Sequence, residues 1–168
     1  GQANLTSKDH KTGTDRIYEA IKKLDKKDAD LVINLQGDEP LMKSDDIKNL
    51  NQKMIMSQSK IGTLASNFLN KDLYENQNVV KVKTSESLQV SNFPEAINFM
   101  RKSKHSDENI YHHLGIYCYD IETLKNYVSI KQSSNEIKSK LEQLRALDNN
   151  IKINVAQAKS FTIGLDTM

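Results

Sequence analysis

Leu31–Leu35 (LVINL) is a short apolar run with Asp30 before it and Gly37 just after it. A run of that length with such boundaries reads as a buried strand, and strands of this kind belong to sheets covered on both faces. The strand stops on Gln36-Gly37-Asp38-Glu39-Pro40. It therefore delivers carboxylates to the carboxyl edge of a sheet, where open α/β sheets bind ligands. Gly37 allows a turn or a close backbone approach, and Pro40 stiffens the exit. Paired carboxylates there suit Mg²⁺, which takes one or two carboxylates together with substrate phosphates. The same residues would also serve as a plain polar turn.

The other segments fit around this strand. Thr14–Asp25 has helical spacing at Ile17, Ala20, Ile21 and Leu24, with Thr12 or Thr14 as its cap. Ser44 opens a second helix, with Asp45 and Asp46 in its first turn and Ile47, Leu50 and Met54 as its inner stripe. Ile61–Asn67, Val79–Thr84 and Glu95–Arg101 read as strands. In the second of these, Val80 and Val82 alternate with Lys81 and Lys83, which predicts one face toward solvent. Tyr111–Tyr119 (YHHLGIYCY) is strand-like by its aromatic and β-branched content. Ile121–Val128 is a short helix. Ser134 caps a longer one with Ile137, Leu141 and Leu144 as its stripe. Ile151–Gln157 and Phe161–Leu165 close the chain as strands. Helices alternate with strands early and strands cluster later, so the expected class is α/β with a mixed sheet. The 168 residues suit a single domain spanning 1–168.

Charge and composition exclude several functions. The 24 basic residues are nearly balanced by 22 acidic ones, which argues against a dedicated nucleic-acid binder. No apolar run approaches the roughly 20 residues that cross a bilayer. Cys118 is the single cysteine and cannot form an internal disulfide, which fits a reducing cytoplasm. Only three of the basic residues are arginines, at positions 16, 101 and 145. Codon bias explains such an imbalance. So does retention of arginine where a planar fork is required, because lysine cannot copy bidentate recognition.

Further chemistry-bearing residues lie at element ends. Gly164-Leu165-Asp166-Thr167 places a second aspartate at a strand end. His112 and His113 are neighbours on a strand, so they point to opposite faces and are not expected to share one metal. Glu142, Gln143 and Arg145 flank a helix stripe and read as a solvated face with a local ion pair. Thr12-Gly13-Thr14-Asp15-Arg16 sits where a loop becomes a helix, a place that favours anions. No phosphate-binding glycine loop, nucleophile elbow or zinc-ligand spacing occurs.

Taken in order, DHKTGTDRIYEA, ADLVINLQGDEPLM, NVVKV, the Phe and Arg of NFMRK, HHLGIYCYD, LEQLRAL and IGLDT resemble the 3-deoxy-manno-octulosonate (Kdo) cytidylyltransferases. The resemblance runs from Asp9 to Thr167. It implies transfer of the cytidylyl group of CTP to Kdo, with release of pyrophosphate, for lipopolysaccharide synthesis in the bacterial cytoplasm. It implies a Rossmann-like mixed sheet of the nucleotide-diphospho-sugar transferase type, a homodimer and Mg²⁺. On the family pattern, Asp38 and Asp166 hold the metal and are catalytic. Gln36, Arg101, His113, Glu142 and Gln143 match the sugar pocket, and Thr12, Gly13, Thr14 and Arg16 match the segment near the nucleotide. The family's opening signature, I-P-A-R-x-x-S-x-R-x-P-x-K-P-L, has no counterpart in the sequence, and His112 stands where the family usually has arginine. The chain is accordingly expected to lack the first strands and the CTP loop. That leaves two alternatives to an active enzyme of this kind: a fragment that folds, dimerises and at most binds sugar, or a sister enzyme using another acidic sugar.

Overall fold

The structure is a computed structural model that describes residues 3–24, 29–37, 39 and 42–159. In chain order the elements are α1 (Gly13–Lys23), β1 (Leu31–Leu35), α2 (Ser44–Ser57), β2 (Ile61–Ser66), β3 (Lys81–Thr84) and β4 (Ala96–Met100), then β5 (Ile110–Asp120), α3 (Ile121–Ser129), α4 (Ser134–Ser139), α5 (Leu144–Asp148) and β6 (Ile153–Gln157). A 3-10 turn, Lys71–Tyr74, lies between β2 and β3. The expected final strand at Phe161–Leu165 lies outside the described residues, as do Asp38 and Asp166.

The strands form one mixed sheet in the order β4-β3-β5-β2-β6, with β1 also pairing with β5. Its centre is β5, eleven residues long. On one side β2 pairs with it antiparallel along its length, with a register shift between Thr63 and Leu64. On the other side two short strands share its edge. Ile110 to His112 pair with β3, and Ile116 to Asp120 pair with β1. Between those two pairings, among the described residues, β5 has no neighbouring strand on that side. β6 lies parallel to β2.

Alternation along β5 feeds two cores. Tyr111, Tyr117 and Tyr119 join the cluster under α1, α3 and α5, with Leu124, Tyr127 and Leu144. Leu114, Ile116 and Cys118 join the opposite cluster under α2, with Leu50 and Met54. The sheet is thus covered on both faces, but β1 is not the buried strand that its apolar run predicts: Leu31 to Ile33 are half-buried and Leu35 is exposed. Gly62 permits the tight seat of α2. A Cβ there would stand 2.5 Å from Met54 Sδ and 3.0 Å from Leu50 Cδ1.

Three other expectations need correction. The helix predicted from Ser134 is two helices. Ser133, not Ser134, caps α4 in a reciprocal box with Glu136, and Lys140 ends it in the left-handed region at φ 53°. The break turns Ile137 outward, 61% exposed, while Leu141 and Leu144 stay buried. The alternation in β3 does not give a wet face, because Lys81 is fully buried. Nor does Gly37 need to be glycine for its own backbone: no described glycine has positive φ, and a Cβ at 37 would touch nothing within 4 Å. Thr12 is the α1 cap, its Oγ1 accepting from the Asp15 amide.

Candidate functional site

The gap between β1 and β3 on the edge of β5 opens into a cavity of about 540 Å³. Its walls come from four places. Gln36 and Glu39 follow β1, Asn76 to Val80 lead into β3, His112 to Tyr117 belong to β5, and Lys140 to Gln143 link α4 to α5. Arg101, at the end of β4, closes the side between the second and fourth of these.

Within the gap, side chains and turns take over from a missing strand. The Gln36 amide donates to the Gly115 carbonyl at 3.2 Å. The Gly115 amide donates to Glu39 Oε1 at 2.9 Å. Farther along, the His113 amide donates to the Val80 carbonyl at 3.0 Å. Backbone groups exposed by the split are therefore satisfied, as buried backbone must be. Other polar atoms are not. Glu39 Oε2, Tyr117 Oη and Glu142 Oε1 are buried and have no hydrogen-bond partner among the described residues. Buried orphans cost about 1–3 kcal/mol each, and all three belong to residues that line this cavity. They are groups prepared for a polar ligand.

The two histidines part onto different neighbours, as alternation predicts, yet both line the cavity, because it lies beside the strand edge. His112 stacks near Phe68, with ring centroids 6.2 Å apart. His113 lies edge-on to Phe99 and tilted against Tyr117. Burial, then the neighbouring positive charge, lowers both imidazoles: His112 to about 4, with Lys81 beside it, and His113 to about 3, with His112 beside it. Both are neutral at pH 7. His113 Nε2 lies 3.0 Å from Thr63 Oγ1. That hydroxyl spends its one proton on the Ile116 carbonyl at 2.7 Å. Proton accounting then makes Nε2 the donor and leaves Nδ1 as an acceptor.

Glu142 is held from behind. Tyr127 Oη donates to its backbone carbonyl at 2.7 Å. Burial raises its carboxyl above the ordinary value, and this outweighs the opposing pull of Thr14, Arg145 and Thr12. Tyr117, Tyr119 and Tyr127 form a stacked and tilted series behind it, with centroids about 6 Å apart. Burial pushes the Tyr117 phenol well above its usual value.

Arginine and lysine divide the remaining work. Arg101 uses its fork on backbone: Nε donates to Ser139 O, Nη1 to Gln77 O and Nη2 to Lys140 O, at 2.9–3.1 Å. Arg145 is not on a solvated face. It is 2% exposed and pairs bidentately with Glu136, Nε to Oε2 at 2.8 Å and Nη2 to Oε1 at 2.6 Å. Arg16 turns away from the cavity and donates to Thr6 Oγ1 and Ser7 O.

Of the sequence-derived sugar positions, Gln36, Arg101, His113, Glu142 and Gln143 all line the one cavity. Thr12, Gly13, Thr14 and Arg16 do not line it. Thr14 lies against Tyr119, its Oγ1 3.4 Å from the phenol oxygen, and Thr12 shares an adjoining depression with Glu142. Among the described residues no group of three His, Cys, Asp or Glu is placed to hold a metal. Sequence reasoning missed Tyr117 as part of the site and Lys81 as the group behind its wall. Glu39 was visible in the strand-end tetrapeptide. Tyr117 lies four residues beyond His113 on a strand, hence on the same face. Lys81 gave no signal.

The sequence profile of the cytidylyltransferase family matches residues 1–153. The 3-deoxy-manno-octulosonate cytidylyltransferase of Thermodesulfovibrio yellowstonii is 41% identical over 99% of this chain and 69% of its own length. That of Francisella tularensis subsp. novicida is 39% identical over 98% of this chain and 68% of its own. A solved CMP:2-keto-3-deoxy-manno-octonic acid synthetase, complexed with CTP, superimposes with a TM-score of 0.84 at 31% identity, over 99% of this chain and 68% of that one. Mannose-1-phosphate geranyltransferase from Thermus thermophilus shares the fold, with a TM-score of 0.60 at 9% identity.

Proposed function

The chain belongs to the cytidylyltransferase family, and we propose that it transfers the cytidylyl group of CTP to 3-deoxy-D-manno-octulosonate, giving CMP-Kdo and pyrophosphate. The observation that supports this most is the convergence of Gln36, Arg101, His113, Glu142 and Gln143 on one cavity. An acidic sugar carries many hydroxyls and one carboxylate. Glu142, Gln143, Gln36 and neutral His113 offer it both acceptors and donors. Arg101 supplies the cation for its carboxylate.

The anomeric hydroxyl oxygen attacks the α-phosphorus of CTP and gives up its proton to water. The bond from that phosphorus to its bridging oxygen breaks, and pyrophosphate departs with the electron pair. Such transfer asks chiefly for alignment and charge neutralisation. Gln36 and Glu39 after β1, and Glu142 with its carbonyl held by Tyr127, meet the first demand by flanking the sugar from two sides.

A divalent cation fits the donor set. Glu39, next to Asp38 in sequence, has an Oε2 without a partner among the described residues and lines the cavity, so it offers a hard oxygen ligand to that space. Asp38 and Asp166 would hold Mg²⁺, which when bound supplies phosphate charge neutralisation and a more acidic attacking hydroxyl. The same reading makes the enzyme a homodimer of the bacterial cytoplasm whose product serves lipopolysaccharide assembly.

Pyrophosphate release tests the reading, with CTP, Mg²⁺ and a panel of Kdo, sialic acid and hexose phosphates. Release is expected with Kdo alone. Asp38→Asn is expected to abolish it, and an unchanged rate in that variant would remove Asp38 from the metal site.

A further inference from the structure

Lys81 is the least expected group near the cavity. Its side chain is fully buried, yet among the described residues it has no carboxylate partner. Burial and the adjacent Arg101 lower its ammonium to about 8. A charge left in such a place must be balanced by strong dipoles. Here three backbone carbonyls balance it, one for each ammonium proton: Asn76 at 2.5 Å, Val79 at 2.7 Å and Arg101 at 2.9 Å.

The identity of those carbonyls is informative. Asn76 and Val79 lie in the cavity wall that leads into β3. Arg101 lies across β3 from it, and its own guanidinium holds Gln77, Ser139 and Lys140. The two cations therefore act in series. Lys81 fixes the wall at 76–79 to the Arg101 backbone, and Arg101 fixes that wall to the segment that ends in Glu142 and Gln143. No regular secondary structure spans 75–80 or 140–143. Without the cations these opposing walls would have only loop backbone to hold their spacing.

We propose that Lys81 is a positioning residue for the acidic-sugar pocket, its ammonium setting the distance between the 76–79 wall and Arg101. This rests on the Kdo reading for its substrate but not for its geometry, and the tests separate the two. Lys81→Met keeps the length of the side chain and removes the charge. Hydrogen exchange in this variant is expected to rise at least tenfold for the 76–80 and 101–103 amides, with β2 and β6 unchanged. In pyrophosphate release its KM for Kdo is expected to rise five- to twentyfold, with the KM for CTP within twofold of wild type. Unchanged exchange overturns the proposal whether or not the enzyme accepts Kdo. So does a folded variant that binds the sugar normally or weakens both substrates equally.

If Lys81→Met does not fold, the wild-type pH profile decides. The other titratable or charged groups facing Lys81 are Arg101 at the end of β4 and His112 on β5, while residues 76–79 carry none. Arg101 stays charged and His112 is already neutral above pH 6. Exchange of the 76–80 amides, corrected for the intrinsic pH effect, is expected to accelerate from pH 7 to 9.5. A flat corrected profile overturns the proposal.

Discussion

Replacing Arg145 with lysine keeps the charge and removes the fork. The Arg145–Glu136 pair is 2% and 4% exposed at the side chains. Glu136 accepts four bonds: two from Arg145, one from Gln132 Nε2 and one from the Ser133 amide. Burial pushes its carboxyl up, but the bonds and charge of Arg145, with the bonds from Gln132 and the Ser133 amide, together more than offset this and hold it below the usual range. Arg145 also lies over the Tyr127 ring, 4.9 Å from its centroid. Lysine can restore one of the two carboxylate bonds. The other, a bond to a charged group, is worth about 1.5–3 kcal/mol. The lost stacking on Tyr127 adds about 0.5–1 kcal/mol. The expected destabilisation of Arg145→Lys is therefore about 2–4 kcal/mol. With a urea slope of about 2 kcal/mol/M, the unfolding midpoint falls by roughly 1–2 M. Arg145→Met leaves Glu136 buried and unpaired and should cost about 3–5 kcal/mol. Arg16→Lys, at an exposed site, is the control and should stay within about 0.5 kcal/mol of wild type. Equilibrium urea unfolding of the three variants reads all of this. An Arg145→Lys midpoint indistinguishable from that of Arg16→Lys would refute the fork argument and return the scarcity of arginine to codon bias.

Two further outcomes follow from the core. His113 and His112 are held neutral in the fold at about 3 and 4, against an ordinary 6.5. The unfolded chain therefore binds more protons below pH 6.5, and stability falls as pH drops from 6.5 toward these values. At about 1.4 kcal/mol per pH unit per group, the loss between pH 7 and 5 is roughly 4 kcal/mol for the pair; equal urea midpoints at pH 7 and 5 would show that the imidazoles are not held neutral. Gly62→Ala should cost about 1–3 kcal/mol by overpacking against Met54 and Leu50, and a neutral result would mean that α2 shifts freely on the sheet.

Much of the fold was legible because its signals are local. Helical spacing at Ile17, Ile21 and Leu24, the apolar run at 31–35 and the aromatic strand at 111–119 each report on residues next to one another. Their boundaries lie within a few residues of α1, β1 and β5. The break at Lys140 was not legible. The apolar spacing from Ile137 to Leu144 continues across it, although the left-handed conformation at 140 ends one helix and the next begins only at Leu144.

The site divides along the same line. From the chain alone came the residues: a carboxylate-bearing turn after an apolar strand, paired histidines on another strand, and an arginine, glutamate and glutamine farther on. Which of them meet was a tertiary decision. It was made where β1 and β3 share one edge of β5 and leave a gap between them. Tertiary structure also reversed two readings of charge. Lys81 alternates like a surface residue and Arg145 follows a polar flank, yet both are buried. The groups that balance them lie outside the periodic pattern. For Lys81 these are the carbonyls of Asn76, Val79 and Arg101, and for Arg145 the carboxylate of Glu136 on the preceding helix. Periodicity records which side of an element faces inward, but whether a charge can be buried depends on which dipoles the fold brings to meet it.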